Sequence, residues 1–173
     1  MNRAARWLAL CLGGWLVAAV AAEPLDYKWV TGSFNVSTGD LTLTAPEPGD
    51  WEGAFAAAAT RWTDATIVTV TTDADPQAAD CRDSGPSTAF FMDTFCGTSW
   101  GATTLATAFT RFFIDPTSAG RATHTDIVFN STKNWVIDDG STFHSAVDFT
   151  RVATHELGHA IGLGHTPDST AIM

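Results

Sequence analysis

The eleven residues from His155 to His165 read His-Glu-Leu-Gly-His-Ala-Ile-Gly-Leu-Gly-His, and they constrain this chain more than any other stretch. On a helix, positions i and i+4 lie only about 40° apart around the axis, so His155 and His159 point the same way and can share one metal ion. Glu156 sits one position along, within reach of a metal-held water without being a ligand. Gly162 falls where such a helix should stop, because glycine tolerates the left-handed backbone that turns the chain. The turn lets His165 come back as a third ligand. Neutral imidazoles suit zinc, and three protein ligands leave a fourth position for water, which is the catalytic rather than the closed arrangement. Zinc would draw the pKa of that water towards about 7, and Glu156 would take its proton as general base. At this chain's own residue frequencies, a chance match to all five positions is on the order of one in a hundred thousand.

The rest of the chain must supply a scaffold for that helix and turn. Tyr27 to Thr44 mixes Trp29, Val30, Phe34, Val36, Leu41 and Leu43 with small polar residues, which predicts an edge strand or hairpin. Asp50 is placed to cap a helix from Trp51 to about Thr63, with Glu52 in the first turn and Trp51, Phe55, Ala58 and Trp62 on one apolar face. Thr66 to Thr72, Thr103 to Phe113 and Thr123 to Asn130 read as strands. Asp73 to about Ser99 reads as loop, and Asn130 to Ser145 as polar and irregular. A second helix begins near Asp148, with Phe149, Val152, Ala153, Leu157, Ala160 and Ile161 inward. This order predicts an α+β, α/β-sandwich fold: one twisted, mainly parallel sheet of about four to five strands, with two helices, the second carrying the histidines.

Formal net charge is −10, with 9 Lys+Arg against 19 Asp+Glu and no basic cluster, so nucleic acid is excluded as a partner. Arg3, Arg6, the apolar run Leu8 to Val20 and the small residues Ala19 to Ala22 form a signal-peptide pattern over residues 1–22. The run is shorter than the roughly 20 residues a spanning helix needs. The expectation is export to the extracellular space or periplasm, with no stable membrane association after cleavage. Cys11 falls in the signal, which leaves Cys81 and Cys96. In an oxidising compartment this pair reads as a disulfide, with free thiols or zinc ligation as alternatives. Asn35-Val36-Ser37 and Asn130-Ser131-Thr132 are glycosylation sequons where the host modifies secreted proteins.

His155, Glu156, His159, Gly162 and His165 match the zinc signature of the metzincin metallopeptidases. Met173 stands eight residues after His165, a separation similar to that of the matrixin branch, and Thr166 after the third histidine is nearest to the serine of matrixins. Asp148 to Thr154 and Thr123 to Asn130 also resemble secreted bacterial matrixin-like proteins. The resemblance implies that Met173 forms an apolar turn beneath the metal. It implies too that Leu105-Ala106-Thr107-Ala108 is the edge strand beside the substrate, which would be an extended peptide or protein segment. Vertebrate-type matrixins carry a histidine ligand to a second, structural zinc where Thr107 stands. His124 is a candidate for another such ligand, although a lone histidine is more often an ordinary residue. No cysteine-switch propeptide motif lies between the signal and Tyr27.

The resemblance implies a domain over residues 23–173 that is incomplete at the C-terminus, since matrixins continue past this point with the wall of the specificity pocket and a closing helix. Oxygen ligands at Asp138 and Asp139, near His144, would allow calcium, although a solvated loop is the simpler reading. The expected function is that of a secreted, monomeric zinc endopeptidase, with extracellular-matrix protein as the substrate the resemblance implies. Two other readings remain open: a zinc-binding but inactive domain that acts only as a binding module, and a non-enzymatic β-rich module in which the motif is accidental.

Overall fold

The computed structural model describes residues 25, 27–29, 31–77, 81, 85–115, 118–137, 146–167, 172 and 173. The signal-peptide expectation (residues 1–22) and the calcium expectation at Asp138, Asp139 and His144 lie outside the described residues. Among the described residues, no helix is long and apolar enough to cross a membrane.

In chain order the elements are β1 (Tyr27–Trp29), β2 (Ser33–Ser37), α1 (Gly39–Thr44), α2 (Trp51–Ala65), β3 (Thr69–Asp73), β4 (Ser87–Met92), β5 (Ala106–Asp115), β6 (Ser118–Asn130), β7 (Trp135–Val136), β8 (Val147–Asp148) and α3 (Phe149–Ala160). Six strands form the main sheet in the order β1-β6-β4-β2-β3, with β5 on the far side of β6. Every neighbouring pair is parallel except β5 with β6. The expected α/β sandwich with a mainly parallel sheet is therefore present. It has one strand more than the upper expectation and a short extra helix, α1.

Two local readings are corrected. Residues 27–44 do not form a single edge strand or hairpin: β1 stands at one end of the strand order and pairs with β6, but β2 lies inside the sheet, parallel to both β3 and β4, and Leu41 lies fully buried on α1. The stretch read as loop from Asp73 to Ser99 contains β4, which is central. Its Ala89, Phe90 and Phe91 are all buried, so both faces of the strand are covered and the alternation that marks a half-exposed strand is missing.

The core lies between the sheet and the helices. Phe91, Phe129 and Trp135 meet Trp51 and Phe149, with Phe129 and Phe149 ring centroids 4.6 Å apart. Asp50 caps α2 by accepting from the Gly53 amide at 3.0 Å, as its position predicts. The Trp62 indole donates to the Thr154 carbonyl at 2.7 Å and pins α2 to α3. Cys81 and Cys96 are joined by a disulfide, as the even pair suggests. In the chain-entropy picture a loop of this length contributes about 3 kcal/mol. The Asn130 sequon is unusable in the folded state, because Asn130 is 1% exposed and its amide donates to the Thr104 carbonyl.

Candidate metal centre and cleft

Helix α3 starts where Asp148 accepts from the Arg151 amide at 3.3 Å, and it presents Arg151, His155 and His159 along one stripe at four-residue steps. It ends in the arrangement the glycine predicts. Gly162 has φ +98°, its amide donates to the His159 carbonyl at 2.9 Å, and the Leu163 amide donates to Gly158 at 2.9 Å. These are the two paired bonds of a Schellman stop. The N-terminal segment satisfies further carbonyls there: the Trp29 indole donates to Ala160 at 2.8 Å and the Leu25 amide to Gly162 at 2.7 Å. His165 follows directly on this clamped turn.

His165 Nε2 lies 3.1 Å from His155 Nε2 and 3.1 Å from His159 Nε2, and the three ligand nitrogens all lie within 4.8 Å of one another. Nitrogens held at about 2.0–2.1 Å around a tetrahedral zinc stand about 3.3 Å apart, so this donor set fits such an ion. The tautomers fit as well. His155 Nδ1 donates to the Ile172 carbonyl and His159 Nδ1 donates to the Leu163 carbonyl at 2.8 Å. A carbonyl can only accept, so each Nδ1 carries the hydrogen and each Nε2 turns a lone pair to the common centre. Burial holds the His159 pKa below its ordinary value, which also favours the neutral ligand form. Among the described residues this is the one cluster of three or more such side chains with converging ligand atoms.

Glu156 is 6% exposed and faces the same cleft. Burial pushes its carboxyl up to about 7, opposed by a hydrogen bond from the Ala108 amide and by nearby His165. The cleft of about 900 Å³ beside it is bounded by Leu105, Ala106 and Thr107 on the strand side, with Ile172 and Met173 at its end. Ala108, Phe109 and Thr110 line a second hollow of about 440 Å³ that also touches His159 and His165, so successive residues of β5 border both hollows. β5 pairs with β6 alone among the described strands, which leaves its other backbone edge towards the cleft.

Met173 is 6% exposed and packs against Gly158; a β-carbon there would collide with its sulfur and thioether methyl. Thr107 turns its hydroxyl onto the Ala106 carbonyl. His124 is buried on β6, with Nε2 3.0 Å from Asp126 and Nδ1 3.2 Å from the Gly85 carbonyl. Neither residue joins a three-ligand group among the described residues. The sequence reading missed the carbonyls of Ile172 and Leu163 and the amide of Ala108, which are backbone groups with no side-chain signature. It also missed Gly158, whose need for a bare α-carbon lies in a residue fifteen positions away. Arg151 could have been found, since it stands one helical turn before His155.

A mainly parallel α/β sandwich thus directs three imidazoles and a buried carboxylate at one open cleft, a donor set that fits a metal ion. The matrixin family model matches residues 47–173, and the chain belongs to that family. It is similar to metalloendoproteinase 1-MMP of Arabidopsis thaliana, 44% identical over 46 residues, or 25% of this chain and 13% of that protein. It is similar also to matrix metalloproteinase-16 of Homo sapiens, 48% identical over 28% of this chain and 8% of that protein. Human matrilysin is 42% identical over 28% of this chain and 16% of its own length. The chain thus spans less than a fifth of each of these relatives, and family membership supports a peptidase at the level of the family.

Proposed function

We propose that the chain is an exported zinc-dependent endopeptidase of protein or peptide substrates, with residues 1–22 as signal and 23–173 forming the catalytic domain. His155, His159 and His165 would hold the ion and Glu156 would act as general base. The convergence of three Nε2 atoms beside a buried carboxylate in an open cleft is the observation that carries this reading. When bound, zinc supplies Lewis acidity towards a carbonyl oxygen and towards water.

The chain's own residues do the rest. Ile172 and Leu163 fix the imidazole tautomers through Nδ1. A carboxyl with its pKa near neutrality suits Glu156 to accept a proton on its free oxygen and return it to the leaving amine. The open edge of β5 would align an extended peptide through backbone hydrogen bonds, with the bond to be cut opposite Glu156. The apolar walls at Leu105, Ile172 and Met173 displace water from that peptide.

The test is hydrolysis of a denatured protein substrate by the zinc-loaded chain, compared with Glu156→Ala. Loss of about 10² to 10⁴ in kcat with zinc still bound at one per chain is expected. Stoichiometric zinc with no hydrolysis by the unmodified chain would instead mark a binding module.

A further inference from the structure

We propose that Arg151 makes the cleft beside Glu156 select a carboxylate-bearing substrate residue, glutamate above all, next to the bond to be cut; this rests on the peptidase reading. Arg151 precedes His155 by one helical turn and lies on the same stripe of α3 as the two helical histidines, so its side chain belongs to the cleft wall beside the first of them. It is the one lysine or arginine among the residues lining the 900 Å³ cleft.

The guanidinium is exposed, and no ion pair to a described carboxylate occupies it. Two acids share the cleft. Asp148 directs an oxygen at the Arg151 backbone amide, and Glu156 is held by the Ala108 amide. Neither is paired with the guanidinium.

The remaining walls set the length and shape of the guest. Leu105, Val152, Ile172 and Met173 line the same cleft and give it apolar surface. A glutamate side chain offers both kinds of contact: methylenes for apolar wall and a carboxylate for the planar donor fork of the guanidinium. Aspartate is one methylene shorter, glutamine lacks the charge, and lysine brings a second cation. The chain as a whole is acidic at −10, so acidic peptides gain nothing from its general field. The preference is confined to the residue that enters this cleft.

The experiment uses the zinc-loaded full chain and quenched-fluorescence peptides identical except for Glu, Gln, Asp, Leu or Lys at each position flanking the cleaved bond. At one flanking position, kcat/KM for Glu is expected to exceed that for Gln by about fivefold or more, and 1 M salt should shrink the ratio. In Arg151→Gln the Glu:Gln ratio should fall to about one, and Arg151→Glu should favour Lys over Glu. Because each ratio is internal to one protein, partial misfolding of a variant does not move it. Equal cleavage of Glu and Gln peptides by the unmodified chain, or a ratio unchanged in Arg151→Gln, overturns this inference alone. Absence of cleavage of every peptide overturns the peptidase reading as well.

Discussion

Gly158 and Met173 are in direct contact: the bare α-carbon of the helix residue just before His159 accommodates the methionine sulfur, with Trp62 also close to it. The same C-terminal stretch delivers the Ile172 carbonyl to His155 Nδ1. Packing at Gly158 and orientation of the His155 ring are thus one arrangement.

Gly158→Ala should therefore destabilise the protein, although alanine is the better helix former. Overpacking of this kind costs about 1–3 kcal/mol, against about 1 kcal/mol gained from helix propensity. Denaturant midpoints should show net loss, and zinc affinity should fall with them as Ile172 is displaced. A variant of unchanged midpoint and affinity would mean that Met173 moves aside freely.

Glu156 predicts a pH-dependent cost in protein stripped of divalent cations. Its folded pKa is raised from 4.5 to about 7, so between those values the folded state holds a proton the unfolded state has lost, and stability falls as pH rises through that window. Glu156→Gln keeps an acceptor for the Ala108 amide and removes the charge. It should match the unmodified protein near pH 4.5 and exceed it by on the order of 2–3 kcal/mol at pH 8. Urea titrations at both pH values check this; a gap that does not grow with pH contradicts it.

The Trp29 indole holds the end of α3 through the Ala160 carbonyl while its ring stacks on Phe34, centroids 4.3 Å apart. Trp29→Phe retains an aromatic ring for the stack and loses the donor, so about 0.5–1.5 kcal/mol should be lost. Amide exchange should quicken at Gly162 and Leu163 more than at mid-helix. Uniform quickening would place the effect in the core instead.

Local signals were legible and long-range ones were not. The helix of His155 and His159, the stop at Gly162 and the cap at Asp50 each depend on residues within one or two turns, and sequence spacing reports them. β4 escaped notice because burial on both faces removes its period; β2 was read as strand, but its interior place depends on pairing with β3 and β4, which local sequence does not report. The disulfide followed from cysteine count and compartment. The features that orient the histidine rings are backbone carbonyls supplied by the fold, Ile172 for His155 and Leu163 for His159, and side-chain identity does not encode them.

X-ray absorption at the zinc edge of the stoichiometrically loaded protein tests the central claim most directly. The predicted result is one ion with three imidazole nitrogens and one further light atom at about 2.0–2.1 Å, with one imidazole lost in His165→Ala. A shell with fewer than three imidazoles, or with sulfur, would contradict it.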